Sequence, residues 1–233
     1  MIVVIQCAAK KRAEAGFLRT KDGKKVLFVG DPAAAPPSDA LLYARPDDLS
    51  DGDVTWRDAL LQYNHNAGSN ELRLCRAGEL YANPTYGRLV RQFGEKNTYI
   101  LSAGWGLIGS SFLTPNYDIT FSMMKPPERY KRRRKSDFYR DLCMLPANND
   151  EQVFFFGGKD YVPLFCELTK GAEGKRTVFF NSQVAPDADG CSLERFVTTT
   201  RTNWHYECAN AFLDGKLNVL RTSTDTAQSR GVA

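Results

Sequence analysis

A carboxylate, an amide and a phenol fall together in Pro115-Asn116-Tyr117-Asp118, a loop stiffened by its leading proline. Asp118 is the candidate for stabilising a cation or orienting a water, Asn116 offers an amide to the edge of a base, and Tyr117 can stack or donate. The same residues also read as a plain Asx turn. Just upstream, Ile100-Leu101 runs into Ser102-Ala103-Gly104-Trp105-Gly106, where small residues let a ligand approach the backbone. Without a ligand, that stretch is a strand and a Gly-rich turn. His205, one of two histidines, stands beside Asn203, Trp204 and Tyr206 and offers a proton to a departing base; a buried structural histidine is the alternative. His65, in Asn64-His65-Asn66, reads as solvated. Gly157-Gly158-Lys159 resembles an anion cradle but lacks the G-x-x-x-x-G-K-[ST] pattern. No G-x-S-x-G elbow and no Cys–His nucleophile context occurs, which argues against serine or cysteine hydrolase chemistry. Cys191, His205 and Cys208 are the one set that can be imagined around a metal. The six cysteines hold no C-x-x-C, so reduced thiols, no metal and no cofactor are expected.

The elements that must position these groups are visible as apolar runs. Ile2–Gln6, Thr98–Leu101, Val153–Phe156 and Thr177–Phe180 lack apolar/polar alternation, the mark of parallel strands buried on both faces. Val26–Val29 is weaker and reads as part of an edge hairpin. Helices are predicted around Trp56, Ala59, Leu60 and Tyr63, from Asn83-Pro84 to Gly94, and from Asn203 through Phe212 to Asp214-Gly215. Another is predicted after Pro126-Pro127, with Tyr130, Arg134, Phe138 and Leu142 at four-residue spacing. The expected fold is α/β, three layers α/β/α around a central, mainly parallel sheet of four to five strands. Length and composition fit one domain over 1–221, with an insertion at about 31–53, a basic arm at about 125–136 and a flexible tail at 222–233. The strands end in Gln6-Cys7-Ala8-Ala9-Lys10, Ser102 to Gly106, Gly157 to Tyr161 and Asn181-Ser182-Gln183. In a parallel sheet all four ends share one edge, where ligands of open α/β sheets sit.

Charge points to a partner. Arg129, Lys131, Arg132, Arg133, Arg134 and Lys135 fall within seven positions, in a chain of formal net charge +4. Such a run is either a solvated face or a phosphate-binding one, and the scarcity of nearby acids, Glu128 and Asp137 alone, favours nucleic acid. No apolar run has the length of a membrane span and no signal peptide opens the chain, so a cytoplasmic protein without a membrane partner is expected. Oligomeric state is not legible.

Ile100-Leu101-Ser102-Ala103 with Gly106-Leu107, followed by Pro115-Asn116-Tyr117-Asp118, resembles the "LSA-x-x-GL … P-x-Y-D" core of a bacterial family akin to the YaaA peroxide-stress proteins. Ile5 to Lys10 resembles its "C-x-x-K" opening strand, and Leu80-Tyr81 through Phe93 its "Y-x-G…F" helix. The likeness spans roughly 2–11 and 80–121, and loosely 153–161. Together with the basic arm and Asn203 to Glu207, it resembles the Brig-type anti-phage DNA glycosylases, distant relatives of uracil-DNA glycosylases. That resemblance implies removal of a bulky modified base, such as glucosylated hydroxymethylcytosine, from double-stranded phage DNA in antiviral defence. The carboxylate and histidine of a uracil-glycosylase pocket do not align here by spacing, so roles come from the residues themselves. Asp118, His205 and Asn116 are the expected catalytic groups. Gln6, Cys7, Ser102, Trp105, Gly106, Tyr117, Asn203 and Trp204 are the expected base-binding groups. Lys10, Lys159 and the six cations of the arm are expected on the DNA backbone. A flipped base would be cleaved through an oxocarbenium-like state. Gly104, Gly106 and Gly109 would leave room for the base. With no lysine in an evidently apolar setting, attack by water, and hence a monofunctional enzyme, is expected over attack by Lys10 or Lys159. A non-catalytic DNA-binding stress protein and a small-molecule nucleoside hydrolase are the rival readings.

Overall fold

The computed structural model describes residues 1–66 and 68–217. The four apolar runs without alternation lie side by side and parallel. They are β1 (Ile2–Gln6), with strands Thr98–Ser102 and Val153–Phe156 on its two sides, and Arg176–Phe180 beyond the latter. Among the described residues the strands and α-helices follow in the order β1, β2 (Leu18–Arg19), β3 (Lys25–Phe28), β4 (Leu41–Ala44), α1 (Trp56–His65), β5 (Cys75–Arg76), α2 (Ala77–Leu80), α3 (Thr85–Phe93), β6 (Thr98–Ser102), β7 (Gly106–Gly109), β8 (Leu113–Thr114), β9 (Leu142–Cys143), β10 (Val153–Phe156), α4 (Val162–Leu168), β11 (Arg176–Phe180), β12 (Ser192–Arg195) and α5 (Trp204–Leu213). The central sheet has seven strands in the order β12-β11-β10-β1-β6-β7-β9. It exceeds the expected four to five because β7, β9 and β12 are short or carry little apolar signal. All its pairings are parallel except β6 with β7, a hairpin.

Both faces are covered, as parallel strands require. Along β10, Phe154 and Phe156 reach Phe212 of α5, with ring centroids 4.8 and 5.3 Å apart, whereas Phe155 stacks at 4.6 Å on Phe165 of α4. Successive side chains of a strand point to opposite faces, so α5 and α4 lie on opposite sides of the sheet. The start of α3 lies one residue later than expected, with Pro84 at the cap position and Thr85 first in the helix; Asn83 Oδ1 still accepts from Thr85 N–H at 2.9 Å, and Gly94 ends the helix at φ +81°. At α5 the expected cap fails, because Asn203 adopts φ +63° and its side chain makes no capping bond.

A second, three-stranded sheet, β2-β3-β4, holds the Val26–Val29 run. β3 pairs antiparallel with β2, as the hairpin reading has it, and parallel with β4. The stretch at 31–53 is therefore more than a surface excursion. It supplies β4, and it supplies Asp47, whose carboxylate meets the buried Arg57 at 2.5 Å.

The basic helix is absent. Residues 128–131 form a single 3₁₀ turn, and the chain then runs extended against the segment after Asp118. Thr120 N–H donates to Lys131 C=O at 3.1 Å, and Arg133 N–H to Thr120 C=O at 2.9 Å. Four-residue spacing was a weak cue here, because a helix would stack like charges one turn apart, whereas the extended form gives separate carboxylates to Lys131 and Arg133. The expected tail, 222–233, lies outside the described residues. Among the described residues, no helix is long and apolar enough to cross a membrane.

Candidate active site

The carboxyl ends of β1 and β6 meet the Pro115–Asp118 loop at the edge of the central sheet. That loop is fixed from two sides: Asn116 N–H donates to Gly16 C=O and Asp118 N–H to Phe28 C=O, each at 2.7 Å. Extended backbone then alternates its side chains, sending Tyr117 and Ile119 into the core and leaving Asp118 partly exposed. Asn116, Tyr117 and Asp118 line a cavity of ≈ 320 Å³. Lys11 and Arg12 from the loop after β1 close another side, and Phe17, Leu27 and Leu41 bring apolar surface from the neighbourhood of the small sheet. That volume accommodates a base with its sugar, at the lower end of ligand cavities. Arg12 and Tyr81 also line a neighbouring cavity of ≈ 560 Å³ that holds Arg76 and Arg91.

Two amines accompany the carboxylate. Lys131 Nζ lies 2.9 Å from Asp118 Oδ2 and 2.5 Å from Glu128 Oε1. Burial alone would lower the Lys131 pKa, but hydrogen bonds to Glu128 and Asp118 outweigh it and raise the group well above an ordinary lysine. Lys11 differs. Its Nζ sits 4.3 Å from the centre of the Tyr117 ring and donates to the carbonyls of Ala8 and Ala9 at 3.3 and 3.4 Å. Burial lowers its pKa; nearby Cys7 and Asp118 oppose that, and Lys131 adds to it. Lys11 is thus half-buried, with its ammonium on two carbonyls and an aromatic face.

Under the loop lies a chain of phenols. Tyr117 Oη meets Tyr81 Oη at 2.7 Å and accepts from Ser102 Oγ at 2.8 Å. Tyr86 donates to Gln6 C=O at 2.7 Å, and Tyr161 Oη lies 3.3 Å from Cys7 Sγ. Burial pushes Tyr81, Tyr117 and Tyr161 well above the ordinary tyrosine range, so they stay protonated and neutral. These groups hold the floor of the site rigid.

Several expected site residues belong to the interior instead. Trp105 is fully buried, edge-on to Phe28 and Tyr117, and Ser102 spends its hydroxyl on Tyr117 and on the N–H groups of Gly104 and Trp105. Cys7 is likewise buried, and Gln6 Oε1 is taken by Gly158 N–H at 2.6 Å. That bond also occupies the supposed anion cradle. The glycines make room for protein, not for a base: a Cβ on Gly106 would stand 2.4 Å from Leu142 O, and one on Gly104 3.1 Å from Ile119 Cδ1. Gly109 alone faces open space.

His205 and Trp204 are buried in α5. Burial lowers His205 to a pKa of about 4, and its buried Nε2 has no partner. A neutral imidazole is a poor acid, and among the described residues no hydrogen bond or ring contact joins it to Asp118 or Asn116. Asn203 is exposed at the start of α5, and it too makes no contact with Asp118. Cys191 faces Cys166, with sulfurs 3.7 Å apart, instead of forming a set with His205 and Cys208.

The arm is divided. Arg133 is buried, bidentate to Asp141 at 2.6 and 2.9 Å, hydrogen-bonded to Ala103 C=O at 2.9 Å and 3.9 Å from the centre of the Tyr139 ring. It cannot reach a phosphate from there, and Lys131 belongs to Asp118. Lys135 pairs with Asp160 at 3.3 Å, and Arg132 is half-buried with its Nε unpartnered. Arg129, Arg134, Lys10 and Lys159 are exposed.

Lys11, Arg12 and Arg57 were missed by sequence reasoning. Arg57 reaches from α1 to the carbonyls of Gly104 and Trp105 at 3.1 and 3.2 Å, so that turn is held by guanidinium groups from both sides. Lys11 had a signal, standing in the polar loop after a buried strand. What sets it apart is its place over the Tyr117 ring in a cavity shared with Leu27, Leu41 and Asp118, all remote in sequence. No family model, curated protein or solved structure matches this chain.

Proposed function

We propose that the protein cleaves the N-glycosidic bond of a modified base in DNA, acting in the cytoplasm against phage DNA as its resemblance to the Brig-type glycosylases implies. The observation that carries the reading is the cavity at the carboxyl edge of the sheet, where Asp118 and Asn116 stand beside two amines on a rigid phenolic floor. Cleavage builds positive charge on the sugar, which a fixed carboxylate stabilises, and negative charge on the departing base, which amide and ammonium donors stabilise. Exposed Lys10, Arg12, Arg129, Arg134 and Lys159 supply cations for the phosphates that flank a flipped nucleotide.

The test is incubation with unmodified, hydroxymethylated and glucosylated phage DNA, scored for alkali-labile abasic sites. Sites confined to modified DNA, and lost by at least a hundredfold in Asp118→Ala, support the reading. Sites that persist in the variant remove Asp118 from the chemistry, and none on any DNA overturns the function. The engagement of Arg133, Lys131 and Lys135 inside the protein favours a second reading, hydrolysis of a small nucleoside. In that case free nucleosides are cleaved, and replacing Arg129 and Arg134 with serine leaves the rate unchanged.

A further inference from the structure

We infer that Lys11 is a nucleophilic amine which forms a covalent Schiff base with the sugar whose base is removed, so that base release is coupled to strand breakage. This rests on the N-glycosidic reading and adds to it the identity of the attacking atom.

Three features of the geometry converge. Lys11 lines the same cavity as Asp118, with its Nζ over the Tyr117 ring, and Phe17, Leu27 and Leu41 contribute apolar surface to that cavity. Its hydrogen bonds go to two neutral carbonyls, and among the described residues no carboxylate lies within ion-pair distance of it. Asp118 is committed to Lys131, so the second ammonium both removes the counter-ion Lys11 would have had and opposes a further positive charge beside it. An amine desolvated next to another cation is how lysine is made a nucleophile. The depressed pKa of Lys11 agrees with this arrangement.

The reaction balances without an external oxidant or reductant. The nitrogen lone pair forms a bond to C1′ as the bond from C1′ to the base breaks; that electron pair leaves with the base, which takes up a proton. The new secondary ammonium gives a proton to Asp118. The lone pair then freed on nitrogen expels O4′, which recovers the proton from Asp118 and leaves a protonated imine at C1′. Asp118, a carboxylate again, takes a proton from C2′, and the electrons of that bond expel the 3′ phosphate and cut the strand. Water finally hydrolyses the imine and returns the amine.

The experiment uses the full chain, a duplex carrying one pre-formed abasic site, and sodium borohydride to reduce any imine. The wild type is expected to give a covalent protein–DNA adduct on a denaturing gel, with peptide mapping placing it at Lys11. Lys11→Met and Lys11→Arg should lower the adduct at least tenfold, the latter although it keeps the charge, and replacing the exposed Lys96 with methionine should not. Matching circular dichroism would show that the variants fold. No adduct with the wild type, or an adduct undiminished in Lys11→Met, overturns the proposal. The two readings fail separately. Base release from modified DNA by both wild type and Lys11→Met, with no adduct, leaves a glycosylase that uses water. An adduct at Lys11 on abasic DNA, with no base released from any DNA, keeps the amine and removes the base-release step.

Discussion

At the residue scale, His205 shows how a chemically suggestive side chain is used for packing. Its imidazole sits in α5 between Trp204 and Tyr206 and is uncharged around neutrality. Because its pKa is about 4 when folded and the ordinary value when unfolded, the unfolded chain binds the extra proton between those limits. Its contribution to stability is thus full above about pH 6.5 and falls as pH drops, by about 3 kcal/mol at pH 4. Urea titrations between pH 7 and pH 4 should show that loss in the wild type and a much flatter limb in His205→Phe. A variant with an unchanged pH slope would mean that the imidazole is already solvated. In the sequence this histidine and Asp118 looked alike as candidates. Residue type and neighbours specify what a group can do, but only tertiary cover decides whether it meets solvent. The same cover picks out Lys11 and not Lys10, although the two are adjacent identical residues.

At the element scale, the arm is the clearest divergence between charge pattern and structure. Its six cations were read together as one DNA-binding face, yet they divide into structural and exposed members. Arg133, whose side chain is 6 % exposed, is clamped to Asp141, 8 % exposed, and to Ala103 C=O. Replacing one partner of such a buried pair leaves the other charge without compensation, at a cost of about 3–5 kcal/mol. Arg133→Met is therefore expected to lower the unfolding free energy by that amount, with Arg133→Met/Asp141→Leu recovering most of it. Arg134→Ser should change stability by less than about 0.5 kcal/mol. On the DNA reading proposed above, Arg134→Ser should lower the slope of log K against log salt by about one, as loss of one phosphate contact does. Equal stability losses for Arg133 and Arg134 variants would contradict the division. Sequence could show only part of it: Glu128 stands three residues from the Lys131 it pairs with, but Asp118 and Asp160, which pair with Lys131 and Lys135, are well separated from them along the chain. Helices α3 and α5, by contrast, were located within a residue or two, since apolar periodicity and glycine stops are local.

At the scale of the whole molecule, four parallel strands were legible for a simple physical reason. Burial on both faces removes alternation, and four such runs without alternation imply one layered sheet. β7, β9 and β12 were hidden because short strands are defined by their neighbours more than by their own residues. The order that results places β1 in the middle, between β6, which begins at Thr98, and β10, which begins at Val153. β1 is thus held between two segments that are both made well after it. One of its hydrogen-bonding edges stays open until β6 has been made and the other until β10 has, and the apolar side chains of Ile2–Ile5 are sites for a chaperone or a misplaced strand in the meantime. Nascent chains truncated at residue 150 should be cut by protease near β1 and captured by chaperones, while the full chain resists both. Protection of the truncated chain would show that β6 alone can hold β1. A protein made in this order depends, for each copy that folds, on the cell keeping β1 apart from every other chain until β6 and β10 have been translated.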